Sequence, residues 1–242
     1  MRHNLRHYVF TLALLAFCVL AVCPASAEDG FISLFNGKDL SGWVPVGTSD
    51  AFQVEKGAIL STGASPYPSW LRTERPYENF VLHIEYQTLG WYEGGILIHA
   101  PVDGPASQLG LQVHLRHDHL EYKARSPGAI YDVAAPTSLA NFGSGKWNNC
   151  EIVCDWPHLQ VTLNGVKIQD LDMAINPSLR YRLRNGFIEI ENIGCRAYFR
   201  NLAIKPLPGQ EEQPTRFSQI SLLSPRPGTR SQSGNDRHGI AE

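Results

Sequence analysis

The chain reads as an all-β protein, an antiparallel β-sandwich or jelly roll, on three observations. Short segments with strict two-residue alternation recur along its body, glycine and proline punctuate the gaps, and no segment carries an apolar helical stripe of three turns. Of the 242 residues, 43% are hydrophobic, 18% charged and 10% aromatic, which suits a folded globular body rather than a disordered or fibrous one. The formal net charge of −2 leaves no basic excess to neutralise phosphates, which argues against nucleic acid as a partner.

In chain order, Arg2 and Arg6 precede an apolar run from Tyr8 to Val22, and Ala25-Ser26-Ala27 supplies a small-x-small site before Glu28. The run falls short of the ~20 residues a spanning helix needs. Together these features predict a signal peptide over residues 1–27, cleaved after Ala27, and hence an exported protein, periplasmic or extracellular, with no membrane attachment after cleavage. Cys18 and Cys23 leave with it. The remaining Cys150, Cys154 and Cys195 are odd in number and match no zinc module. Cys150 and Cys154 lie roughly 13 Å apart along a strand, too far to bridge each other; Cys195 could pair with either, or all could stay as buried thiols.

The body, residues 28–208, holds the strands. Phe80, Leu82, Ile84 and Tyr86 alternate with Val81, His83, Glu85 and Gln87; Ile96 and Ile98 with Leu97 and His99; Leu109, Leu111, Val113 and Leu115 with Gly110, Gln112, His114 and Arg116. Further strands are expected at Glu151–Asp155, Leu159–Leu163, Phe187–Glu191 and Arg196–Lys205, and Asn164-Gly165 predicts a tight hairpin between Leu163 and Val166. The expected core is Leu82, Ile84, Tyr86, Ile96, Ile98, Leu111, Val113, Leu115, Ile188 and Ile190. From residue 209 to 242 proline, glycine and serine break every periodicity, which predicts a disordered tail.

The polar alternates of these strands are unusual for a solvated face: His83, Glu85, Gln87, His99, Gln112, His114, Arg116, Glu189 and Glu191. Acids, imidazoles and amides on neighbouring strands can bind a metal, move protons or hydrogen-bond sugar hydroxyls. Trp91 and Tyr92, beside Gly94-Gly95, could offer an aromatic platform to a sugar ring. His114, His117 and His119 form an H-x-x-H-x-H cluster, but alternation turns His114 away from the other two, so a shared zinc would need a sharp bend. No nucleophile elbow, P-loop or dinucleotide fingerprint is present.

The segment Phe31 to Trp43 (FISLFNGKDLSGW) resembles the opening of the 3-keto-disaccharide hydrolase domain family. More of that pattern follows in order: Phe52–Leu60, Tyr77–Tyr86, Gly94–Pro101, Gly128–Tyr131, Trp147-Asn148 with Glu151–Val153, Leu163–Val166 and Tyr198–Leu207. The resemblance implies a concanavalin A-like jelly roll with an enzymatic or carbohydrate-binding concave sheet. It implies a substrate whose C3 ketone acidifies the C2 hydrogen, so that a base removes that proton, the anomeric substituent leaves, and water adds back. Such a route needs a base, an acid for the leaving oxygen, and a metal or donor cluster for the enolate.

Two departures stand out. Gln112-Val113-His114 replaces a Glu-x-Gln, and Glu191-Asn192-Ile193-Gly194 replaces a Gln-Asp-His before the glycine; Glu85 and His99 match the pattern. The expected catalytic residues are therefore His114, Glu191 and Glu85, with His99, Gln112, Trp91 and Tyr92 contacting substrate. A divalent metal, if used, would have His114 and Glu191 as candidate ligands. All are expected on one concave patch. The leading expectation is an exported hydrolase of 3-keto-glycosides or 3-keto-disaccharides; the alternative is a non-catalytic carbohydrate-binding module on the same fold.

Overall fold

The structure, a computed structural model, describes residues 30–64 and 67–209. The leader and all of the tail beyond Gly209 lie outside the described residues.

The strands are β1 (Ile32–Ser33), β2 (Trp43–Val46), β3 (Phe52–Glu55), β4 (Ala58–Thr62), β5 (Ser69–Thr73), β6 (Phe80–Thr88), β7 (Glu93–Ala100), β8 (Leu111–Arg116), β9 (Asn148–Asp155), β10 (His158–Leu163), β11 (Val166–Asp172), β12 (Phe187–Asn192) and β13 (Arg196–Pro206). A single-turn helix α1 (Ala106–Leu109) precedes β8. Two antiparallel sheets result. One runs β11-β10-β9-β6-β13-β4-β3, with β1 also on β13; the other runs β2-β5-β12-β7-β8. Beyond β8 the chain returns: His114 N–H donates to Ala129, Gly128 N–H to His114, and Tyr131 N–H to Gln112, so residues 128–131 cover the outer edge of β8. This is the sandwich that alternation predicts.

Every residue of the expected core is buried between the sheets. From the larger sheet, Phe80, Leu82, Ile84, Tyr86, Ile152, Val161 and Phe199 point inward; from the smaller, Leu71, Ile188, Ile190, Ile96, Ile98, Leu111, Val113 and Leu115. The Asn164-Gly165 hairpin forms as expected, with positive φ of 51° and 81° at its two central residues, the geometry that strand twist favours. Leu109 departs from expectation: it closes α1 and is exposed, so β8 begins only at Leu111. Cys150, Cys154 and Cys195 are buried free thiols.

Three pairings among the described strands slip in register, one of them between β10 and β11 at Val161/Thr162, and the other two bear on the site. On β13 the inward residues pass from Ala197 and Phe199 to Leu202 and Ile204, because the register with β6 shifts between Arg200 and Ala203 and Asn201 has φ 51°. On β7, His99 has φ 52°, where the pairing with β12 also slips. That slip decides where the His99 imidazole goes.

Candidate active site

The outer face of the smaller sheet carries the site. Its geometry follows from register. On β7 and β8, Leu97 pairs with Gln112 and Gly95 with His114; Glu189 of β12 pairs with Leu97, and Ile190 with Ile96. One step further along that ladder Glu191 stands beside Gly95. Glu191, Gly95 and His114 thus form one row across three strands, with side chains at its ends and none in its middle. A Cβ on Gly95 would sit 2.5 Å from Gln112 Cγ and 2.6 Å from its Nε2. Glycine at this position is what lets Gln112 lean over the strand and donate from Nε2 to Glu191 Oε2 at 2.9 Å.

The space above this row is a cavity of about 260 Å³ lined by Glu93, Gly94, Ser107, Gln112, His114, Arg125, Tyr131, Glu191 and Ile193. α1 supplies Ser107, and the segment after β8 supplies Arg125 and Tyr131. Arg125 is fixed by a two-point ion pair with Asp132 (2.7 and 3.1 Å) and lies 5.2 Å from the Tyr131 ring centre. At the rim, Arg116 ties down both Glu93 and Asp118 and stacks 4.0 Å from the Tyr122 ring centre.

The electrostatics separate the two central groups. Burial pushes the Glu191 carboxyl up to about 7, with the Gln112 amide opposing the shift. Burial, helped by the nearby Arg125 charge, pushes His114 down to about 4; the Gly94 backbone, Asp132 and Asp118 oppose it only in part. His114 is therefore a neutral imidazole at neutral pH. It is 3% exposed, packs 5.0 Å from the Tyr131 ring, and among the described residues neither ring nitrogen has a hydrogen-bond partner. An NMR titration should find the His114 ring unprotonated from about pH 8 down to about pH 5; a midpoint near the ordinary ~6.5 would contradict this burial.

The expected single patch forms only in part. Gln112, His114 and Glu191 come together. Glu85 does not: it lies on β6, in the other sheet, where Arg200 Nε and Asn201 Nδ2 each donate to its carboxylate at 2.8 Å. Alternation fixes which way Glu85 points relative to its own strand, and both sheets have a polar outer face. His99 is not on the outer face of the smaller sheet either. Its bulge rotates the ring into the core, 2% exposed, where Nε2 donates to the Glu78 carbonyl at 2.7 Å and the ring meets Phe80 edge-on at 5.8 Å. Tyr92 is wholly buried, its hydroxyl donating to the Glu191 carbonyl at 3.1 Å, so it supports the site from beneath and offers no platform. Trp91 is 59% exposed and tilts against His117, outside the cavity lining.

Sequence reasoning missed Arg125, which ends a single 3-10 turn (Lys123–Arg125), Tyr131, which sits in irregular chain with no periodicity, and Gly95, whose place inside a strand is itself a signal of close approach. Among the described residues no three of His, Cys, Asp and Glu converge to hold a metal ion. His114 and Glu191 alone fall one short of the three protein ligands of a catalytic zinc site, so the donors present do not make a resident metal centre and no step below runs through one.

The fold is thus a two-sheet antiparallel sandwich with a polar cavity on the outer face of its smaller sheet, built around one perturbed carboxyl and one neutral imidazole, the combination expected of a functional site. The chain belongs to the 3-keto-alpha-glucoside-1,2-lyase-like domain family, whose model matches residues 30–205. Membership of that family points to a glycosyl hydrolase-like or carbohydrate-binding role. No curated protein matches the chain in sequence. Two crystal structures from Parabacteroides distasonis ATCC 8503, both provisionally named glycosyl hydrolases, share its fold. One is 24% identical with TM-score 0.65, covering 74% of this chain and 94% of its own; the other is 21% identical with TM-score 0.64, covering 73% and 99%. The carbohydrate-binding module CBM66 from Bacillus subtilis is more distant, 13% identical with TM-score 0.51 over 68% of this chain and 95% of its own.

Proposed function

We propose that the domain cleaves 3-keto-glycosides, including 3-keto-disaccharides, by elimination and hydration. The observation that carries this reading is the single free carboxyl in the cavity. Ordinary glycosidases flank the scissile bond with two working carboxyl groups. Of the two carboxyls that line the cavity, Glu93 is held by Arg116 and Glu191 is untied to a cation and set near neutrality; Glu189, two residues back on β12, is raised likewise but lies outside the lining. One such group suits removal of a proton next to a ketone.

In the proposed sequence the Glu191 carboxylate takes the C2 proton, and the C2–H electrons move to make the C2–C3 double bond of an enolate, placing negative charge on O3. The neutral His114 donates an N–H hydrogen bond to that oxygen, and Arg125 lowers the energy of the charge from the cavity wall. The enolate then re-forms the C3 ketone, the C1–C2 double bond forms, and the C1–O bond breaks. The leaving oxygen takes the proton now on Glu191. Water adds its hydroxyl to C1 and its proton to C2, and the sum is hydrolysis. Gln112 keeps Glu191 oriented throughout.

The test is incubation with a 3-keto-glucoside and a 3-keto-disaccharide, following released reducing sugar. Turnover should appear, with kcat/KM rising as pH increases through about 7, as a base with the Glu191 carboxyl requires. Binding without turnover would leave the carbohydrate-binding reading in its place.

A further inference from the structure

The outer face of the larger sheet holds a cavity of its own, about 310 Å³, walled by residues of β3, β4, β6 and β13 and by Trp147. Register explains the hollow. Arg200 pairs with Glu85, Phe199 with Ile59 and Glu55 with Ala58, so one row runs Glu85, Arg200, Ala58, Glu55 across the four strands. Ile59 is the inward residue of β4, so Ala58 faces outward, and its methyl forms a low floor between two long side chains. Gln87 and Tyr198 pair in the adjoining row, and Trp147, just before β9, supplies the remaining wall.

The walls are fixed in place. Arg200 Cζ lies 3.8 Å over the Trp147 ring, and its Nε donates to Glu85 at 2.8 Å. The Tyr198 hydroxyl donates to Glu55 Oε1 at 2.8 Å, and Lys56 Nζ approaches the same oxygen at 2.9 Å. Gln87 Nε2 donates to the Gly145 carbonyl at 2.7 Å. The walls are also open to solvent, with the Arg200 and Glu55 side chains 42% and 38% exposed. Each cation is paired with an acid, Lys56 with Glu55 and Arg200 with Glu85, so the site has no spare charge to select an ion. Among the described residues, Trp147 Nε1 and both Arg200 Nη groups hold no hydrogen-bond partner, and Glu55 Oε2 and Gln87 Oε1 accept from none. Two aromatic rings over a methyl floor, with uncommitted donors and acceptors between them, suit a neutral sugar ring: its C–H face meets the aromatics and its hydroxyls meet the polar atoms.

We infer that this cavity is a separate, non-catalytic carbohydrate site, which binds a pyranose ring of a neutral β-linked glucan. The equatorial hydroxyls of such a ring leave both of its faces apolar, as the aromatic walls require. The two cavities lie on the outer faces of different sheets, and stacked sheets are about 10 Å apart, so one short substrate does not fill both. The site anchors the domain to an intact glucan chain and takes no part in the elimination. It goes beyond the proposed function and does not depend on it.

The probe is cellotetraose. It is titrated by calorimetry into the wild type, Trp147→Ala, Ala58→Leu and Glu191→Gln, while NMR follows the Trp147 indole N–H in the wild type. Binding should saturate and shift that resonance. Trp147→Ala removes one wall and Ala58→Leu fills the floor, and each should weaken binding about tenfold, the scale of one lost aromatic contact. Glu191→Gln should leave it within about twofold. Melting curves show whether each variant is folded; the wild-type resonance needs no variant and decides the matter if one is not. No saturable shift of the Trp147 resonance overturns the site. So does binding that survives both substitutions, or that Glu191→Gln removes, which would put the glucan in the other cavity. Equal affinity for the β-1,4-linked tetramer of glucuronic acid, the same chain bearing carboxylates, overturns the assignment to a neutral ligand.

Discussion

Glu191→Gln should abolish turnover and, above neutral pH, make the protein more stable. The amide keeps the shape of the carboxyl and still accepts the Gln112 hydrogen bond, but it can neither take nor return a proton. Loss of at least about a hundredfold in activity is the usual scale for a general base. The stability effect has a worked sign. The folded-state carboxyl titrates at about 7, against 4.5 for an unperturbed glutamate, so folding favours its protonated form. That contribution is fully present below 4.5 and is lost as pH rises through 7. At about pH 8 the wild type therefore carries a buried charge whose removal is worth about 3 kcal/mol, or about 6–12 °C in melting temperature for a domain of this size.

His114 slopes the other way, because its pKa is depressed from 6.5 to about 4: its share of stability is present above 6.5 and lost as pH falls through 4. The wild type alone would show the two slopes partly cancelling, so the difference between wild type and variant is the informative quantity. Glu189 feels Glu191, so neutralising the latter eases the same burden at its neighbour. Melting curves at about pH 8 and about pH 4.5 check this: a gain at the higher pH that vanishes at the lower is expected. A variant less stable at both would mean that Glu191 is structural.

Gly95→Ala should be nearly as damaging to activity, for a steric reason. The added methyl would stand 2.5 Å from Gln112 Cγ, well inside contact, and the cavity that Gln112 lines is the space into which its side chain can retreat. Its side chain must swing off Glu191, which breaks the 2.9 Å bond that orients the carboxyl. Overpacking of this kind costs about 1–3 kcal/mol in stability, and a misplaced base costs on the order of tenfold to a hundredfold in rate. The double variant Gly95→Ala/Gln112→Ala separates the two effects, since removing the Gln112 side chain relieves the clash. Stability should recover and activity should not. Recovery of both would show that Gln112 does not position Glu191; recovery of neither would place the conflict in the backbone.

How far the sequence foretold this site depends on which residue is asked about. Gln112 and His114 on β8 and Glu191 on β12 were legible because unbroken alternation assigns a face, and the faces of neighbouring strands coincide once the strands pair. Glu85 obeys the same alternation on β6 and still lies elsewhere, because period two says nothing about which of two sheets receives a strand. His99 fails for a different reason: a bulge adds half a period, and nothing in the residues around it announces a positive φ there. The shift at Asn201 on β13 is of the same kind. Arg125 and Tyr131 are placed by long-range pairing of residues 128–131 with β8, which leaves no periodic trace; the resemblance at Gly128–Tyr131 marked that segment without giving its role. Trp91 and Tyr92 show the limit of composition, since adjacent aromatics ended one in solvent and one in the core.

Proton removal from C2 is the step on which the proposed function stands, and a 3-keto-glycoside carrying deuterium at C2 tests it most directly. Elimination and hydration require that the C2–H bond break before the sugar is released. The labelled substrate should therefore be cleaved more slowly than the unlabelled one, and the released keto sugar, sampled early in the reaction, should have lost deuterium to water. Equal rates, with the label still at C2 in the product, would mean that the glycosidic bond breaks without proton abstraction and that Glu191 is not the base.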